Sequence, residues 1–315
     1  MGGNQSWFPD FILVGFQLSA KLEVFFFCIF CLLYMSNLLA NGMILALIWL
    51  DPRLHSPMYF FLSHLAVIDI SYASSNLPKL LENLIRHKKT ISFVSCAMEM
   101  VLYLGFASTE CMILVVMSYD RYVAICHPLQ YTLIMSWTKC KVLAIISWSC
   151  GFSVAIGNLI FFLRLPYCGS QKINHFLCEI LAVLKVACVD TSLNRTFLFA
   201  GGVFILVGPL SFMLVSYMHI LGAILKIQSK EGRKKAFSTC SSHLCVVGFY
   251  FGIAMTVYLV PDNGQHDEQN KIISLFYTLF NPLLNPLVYS LRNAQVKAAI
   301  KRVLQKQRAL SSKLS

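Results

Sequence analysis

The ionisable residues best placed to do chemistry are Asp69 and Glu110, each set in the middle of a long apolar run. Read as helices rising about 1.5 Å per residue, the two runs go in opposite directions, and both carboxylates lie roughly 16 Å from the same end. Two carboxylates at one depth do not both ionise unless they share a proton or a cation. The chemistry open to them is therefore proton holding, or binding of an ion such as sodium. Glu110 belongs to the run Cys96–Cys126, which ends with Asp120-Arg121-Tyr122. Glu110 and Arg121 are eleven residues apart, so they share one helix face with Tyr103, Ala107 and Leu114. Ionisable groups inside an apolar span are costly and mark function by default. Catalysis is not what they point to: the chain carries no Ser/His/Asp set and no His-Glu-x-x-His motif. His175, Cys178 and Glu179 make a poor metal cluster, with one His, one Glu and a cysteine expected to be oxidised, so no metal site is expected. An ion path lined by Asp69, Glu110 and a proline-broken seventh run is a rival reading. It lacks an internal repeat and a second row of charges.

These groups need long helices to position them, and the composition supplies little else. Of 315 residues, 57% are hydrophobic and 13% charged, against roughly 45–50% and 25% in soluble domains. Apolar blocks near 24–50, 58–84, 93–125, 139–162, 196–226, 237–260 and 270–291 predict an all-α membrane protein of seven spans. The sequence divides into a tail (1–23), the seven-span domain (24–291) and a terminal segment (292–315). Sixteen of the 26 basic residues fall on the side of the C-terminal tail, with only Asp51, Asp120 and Glu231 as acids there. By the positive-inside rule that side faces the cytoplasm and the N-terminus faces out. The net charge of +12 thus reads as topology and attraction to membrane lipid, not as a nucleic-acid site.

Details along the chain refine this picture. No cleavable signal pattern precedes the first apolar block, so insertion is expected to start from that block. Asn4-Gln5-Ser6 is a glycosylation acceptor on the outer tail. Asn41-Gly42 is expected to let a neighbouring helix approach the first span closely. Cys96, Cys168, Cys178 and Cys188 form an even outer set, which suggests two disulfides with three possible pairings. The segment 168–196 is long enough to be a cap. Lys230-Glu-Gly-Arg233-Lys234-Lys235 reads as a solvated basic loop. After the seventh span, Val296, Ala299, Ile300, Val303 and Leu304 line one helix face, opposite Lys297, Lys301, Arg302, Lys306 and Arg308. This predicts a short amphipathic eighth helix on the inner leaflet.

Four motifs occur in order: Leu54-His-Ser-Pro-Met-Tyr-Phe-Phe-Leu62, Met117-Ser-Tyr-Asp-Arg-Tyr-Val-Ala-Ile-Cys126, Lys235-Ala-Phe-Ser-Thr-Cys240 and Pro286-Leu-Val-Tyr-Ser-Leu-Arg-Asn293. With these the chain resembles mammalian class II olfactory receptors, which are rhodopsin-like G-protein-coupled receptors. Ser118 departs from the family's usual Ala, and Phe249-Tyr-Phe-Gly252 from its Phe-Tyr-Gly. The resemblance implies disulfides Cys96–Cys178 and Cys168–Cys188. It also implies a switch built from Asp120, Arg121, Tyr122, Tyr217, Asn285, Pro286 and Tyr289, with Arg121 paired to Asp120 at rest. It implies a plasma-membrane receptor that binds a small volatile odorant and couples to a stimulatory G protein that raises cyclic AMP. The implied pocket takes Tyr103, Leu104, Ala107, Ser108 and Cys111 from the third span. The fifth span adds Gly201, Gly202, Ile205 and Leu206, and the sixth adds Phe251, Ala254, Met255 and Tyr258, with Phe251 facing the floor. No charge lines these walls, so the ligand is expected to be neutral, held by Ser108 and Tyr258.

Overall fold

The computed structural model describes residues 10–15, 18–86, 89–168, 171–226, 228–260, 267–290, 295–303 and 305. Seven long helices carry the chain: α1 (Ala20–Leu50), α2 (Pro57–Ile85), α3 (Phe93–Cys126), α4 (Trp137–Leu163), α5 (Ser192–Leu225), α6 (Lys230–Tyr258) and α7 (Asp267–Ser290). A shorter α8 covers 295–303. Five of them, α1, α3, α4, α5 and α6, are long and apolar enough to cross a membrane on their own. The other two are interrupted by buried polar residues. These are Asp69, Asn76 and Asn83 on α2, and Thr278, Asn281 and Asn285 on α7. Apolar side chains such as Leu32, Leu39, Ile145, Phe204 and Met218 stay exposed around the outside, as a lipid-facing belt requires.

The centre is α3. Two thirds (67%) of its apolar stretch is buried, against 11% for α1, and it packs on α2, α4, α5 and α6. Gly151 sets the closest approach: a Cβ there would fall within 2.9 Å of Thr109 Cα, so only glycine lets α4 lie this near to α3. Gly42 plays no such part, because a Cβ there would meet nothing within 4 Å. Its neighbour Asn41 makes the contact instead, donating from Nδ2 to the Pro282 carbonyl at 3.0 Å. That carbonyl is free because its helical partner four residues on is Pro286, which has no N–H. In α5 the chain widens into a π-helical turn over Val203–Val207 just before Pro209. This turn keeps Ile205 and Leu206 buried while Phe204 faces out.

A three-stranded sheet caps one end of the bundle. Strand β1 (Phe11–Leu13) lies between β2 (Thr90–Ile91), antiparallel, and β3 (Lys172–Ile173), parallel. Phe11 and Leu13 point into a second apolar cluster with Phe93, Phe162 and Ile173. Cys96 and Cys178 are bonded, tying α3 to the segment after β3, and Cys168–Cys188 closes that segment on itself. At the opposite end, the residues expected as a basic loop belong to α6. Ser229 caps them by accepting from Gly232 N at 3.2 Å, and Glu231 sits in the first turn, where a carboxylate suits the helix dipole. The expected lipid-facing stripe of α8 also turns out otherwise, since Val296 and Ala299 are buried against the bundle. Arg302 leaves the solvated face and pairs with Asp51 at 2.6 Å. Leu304, Lys306 and Arg308 lie outside the described side chains.

Candidate functional site

Between the cap and the middle of the bundle lies a cavity of about 50 Å³. Tyr103, Leu104, Ala107, Ser108 and Cys111 of α3 line it, with Gly201, Gly202, Ile205 and Leu206 of α5, and Ala254 and Tyr258 of α6. The structure thus brings most of the expected wall together. Phe251 and Met255 are not among its lining, and Val154, Leu198, Tyr250, Ile253, Val257, Ser274 and Tyr277 join it. The reason is helix phase. Tyr250, Ala254 and Val257 follow the four-then-three spacing of one face, and Phe251 is turned about 100° from Tyr250, to the edge of that face. Phe251 is buried in packing with its ring 5.5 Å from Tyr250, and Met255 packs at the edge of the core. Tyr250 forms the floor, donating its hydroxyl to the Ala107 carbonyl and meeting Tyr277 edge-on at 5.4 Å. Glycine at 202 keeps the wall thin, since a Cβ there would come within 3.3 Å of Leu259. The polar stripe Ser274, Tyr277, Thr278, Asn281 and Asn285 on the seventh run carried a signal for the missed α7 residues, because in an oily span the polar face points inward.

Polar groups in the cavity are few. Ser108 is buried in its wall. The Tyr258 hydroxyl is buried at the cap end, beside the Tyr103 hydroxyl and the Glu179 carboxylate. Above it sits Glu179, which caps the one-turn helix Ile180–Leu184 by accepting from Ala182 N at 3.0 Å. Burial pushes the Glu179 carboxyl up to about 6, the backbone N–H groups of Ala182 and Leu181 opposing it. Burial pulls His175 down to about 4, helped by the nearby Lys271 charge, and its Nδ1 accepts from Leu177 N at 3.2 Å.

Below the cavity is the polar core. Asn285 Nδ2 donates to both Asp69 oxygens, at 3.2 and 3.0 Å, and to Glu110 Oε1 at 2.9 Å. Asn281 Nδ2 donates to Glu110 Oε2 at 2.9 Å. One amide nitrogen has two hydrogens, so three carboxylate oxygens compete for them. At the far end of α3, the Asp120 carboxylate accepts from Tyr131 Oη at 2.7 Å, and the Arg121 guanidinium lies against the Met58 sulfur. This replaces the expected Asp120–Arg121 pair. Tyr217 of α5 bonds His243 of α6 at 2.6 Å, and Tyr122 stacks near Tyr119 and packs with Tyr217's cluster. Pro286 lies within α7. The side chain of Tyr289, and all of Asn4, fall outside the described residues.

Comparison with known proteins agrees with this layout. A family profile for the olfactory receptor matches residues 30–307. Olfactory receptor 2A2 from Homo sapiens is 62% identical over 310 residues, covering 98% of each chain. Olfactory receptor 2A5 from Homo sapiens is also 62% identical, covering 98% of this chain and 100% of its own. Olfactory receptor 2A7 from Mus musculus is 56% identical over the same shares. A multi-pass membrane receptor, and not an enzyme, follows from likeness of this extent: the chain belongs to the olfactory receptor family.

Proposed function

We propose that this receptor binds a small, neutral, largely apolar odorant in the cavity between α3, α5, α6 and α7, and couples it to a stimulatory G protein that raises cyclic AMP. The observation that carries this reading is the apolar cavity itself, in which the Ser108, Tyr258 and Ser274 hydroxyls are among the few polar groups. A ligand carbonyl or hydroxyl would add a hydrogen bond to one of these groups, while the rest of the wall suits an apolar body. A charged ligand would find no counter-ion among the walls named above and would stay buried unpaired, costing several kcal/mol. The Asp120–Arg121–Tyr122 end would face the cytoplasm with the basic excess, and the cap would face out. The Asp69–Glu110 pair would hold a proton or a sodium ion in the resting state. A cyclic AMP screen of neutral volatiles, carboxylates and protonated amines on cells expressing this chain tests the reading. Neutral agonists are expected to be the most potent. Charged agonists outranking all of them would sink it.

A further inference from the structure

A second cavity, of about 40 Å³, lies at the cap end between α1, α2 and α7, away from the one just described. It is nearly as large as the odorant cavity, and no step of the proposed function uses it. Its walls are apolar, with Phe26 and Phe30 of α1, Leu80 of α2 and Leu275 of α7. Asn83 lines it, 6% exposed, with both Oδ1 and Nδ2 sealed and without a hydrogen-bond partner among the described residues. Among the described residues it is the one asparagine with both amide ends in that state. The other buried amides serve the fold: Asn37 and Asn41 bond carbonyls, and Asn281 and Asn285 bond carboxylates. A free donor and a free acceptor buried side by side cost more than a leucine would at the same place. Lys89 closes the rim, with its charge paired to Glu23 at 2.9 Å. The site itself is therefore neutral.

We propose that this cavity is a second ligand site, specific for a small neutral molecule that presents a donor and an acceptor on adjacent atoms beside a short apolar tail. A primary carboxamide is the full match, because its C=O and N–H can close a two-bond ring with the Asn83 amide. Occupancy would brace α1, α2 and α7 at the cap, independently of the odorant cavity.

The test uses the purified full chain in lipid nanodiscs and butanamide as the probe, followed by ligand-observed NMR. The competitor is 2-pentanone, which has the same heavy-atom skeleton and lacks the N–H groups. Butanamide is expected to bind saturably. Asn83→Leu, which removes the amide, and Phe30→Trp, which fills the space from the opposite helix, should each weaken it at least tenfold. Thermal melts establish that each variant is folded, and one folded variant suffices. Ala107→Leu, which crowds the odorant cavity, should leave butanamide binding within twofold of the parent. 2-Pentanone should compete at least tenfold more weakly than unlabelled butanamide. No saturable binding, binding untouched by both variants, or loss of binding in Ala107→Leu would each overturn the site. Equal competition by 2-pentanone would overturn the role of Asn83.

Discussion

Replacing Tyr258 with Phe removes a single oxygen, one that makes no close hydrogen bond among the described residues. The folded state should therefore lose little, and surface level should hold. The agonist should lose one hydrogen bond, worth about 0.5–1.5 kcal/mol. Dose–response curves on surface-matched cells should then shift to roughly two- to tenfold higher concentration by the same relation. Unchanged potency for every agonist would remove Tyr258 from recognition. The polar core makes a different residue-scale claim. Glu110 shares the Asn285 amide with Asp69, so two negative charges there need a proton or a cation between them. Glu110→Gln leaves only one carboxylate and should flatten the dependence of signalling on external sodium and pH. Dose–response curves recorded at low and high sodium, each at two pH values, check this. A variant that keeps the parent's full dependence would place the sodium or proton effect elsewhere.

At the scale of elements, two glycines make a controlled comparison. Gly151 faces the Thr109 backbone, whereas a Cβ at Gly42 would meet open space. Gly151→Val must push α4 off α3, and overpacking of this kind costs about 1–3 kcal/mol or more. Gly42→Ala should be neutral or slightly stabilising in a helix interior. Thermal unfolding of the two solubilised variants should separate clearly, and equal melting would refute the close α3–α4 crossing. These glycines also show what the sequence could and could not reveal. Each span was legible, because about 20 apolar residues between basic or proline breaks leave few alternatives. Which glycine forms a contact was not, since that depends on helix phase. Phase is weakly written in a lipid-facing helix, where all sides are apolar and periodicity selects no inner face. The resemblance points to Phe251 as the floor, and nothing in the apolar run shows that its neighbour Tyr250 faces the cavity instead. Where a polar residue breaks the monotony the phase is readable, and Asp69 and Glu110 were placed at one level from spacing alone. The start of α6 was missed for another reason: charged residues suggested loop, while the Ser229 cap and Glu231 were enough to begin the helix.

Across the whole molecule, the cap joins the N-terminal strand, the disulfide-bonded segment and the ends of the helices into one lid. Its stability should follow pH through two buried groups of opposite sign. Glu179 titrates near 6 in the fold because burial disfavours its charge, against 4.5 for an ordinary glutamate. Its favourable contribution is fully present below about 4.5 and is lost as pH rises through 6. His175 is held near 4 by burial, against 6.5. Its contribution is present above 6.5 and is lost as pH falls toward 4. In the parent chain the two oppose each other between those limits, so the cap should show a shallow pH profile. Substitution separates them. Glu179→Gln keeps the shape and the cap hydrogen bond from Ala182, and removes only the charge. Relative to the parent, this variant should gain stability as pH rises from 4.5 to 7. The gain should approach about 2 kcal/mol, the value of a shift of roughly one and a half pKa units. Thermal unfolding of both chains at pH 4.5, 5.5, 6.5 and 7.5 gives the difference directly. A difference that stays constant over this range would mean that Glu179 is solvated in the folded receptor and that the lid is open above Tyr258.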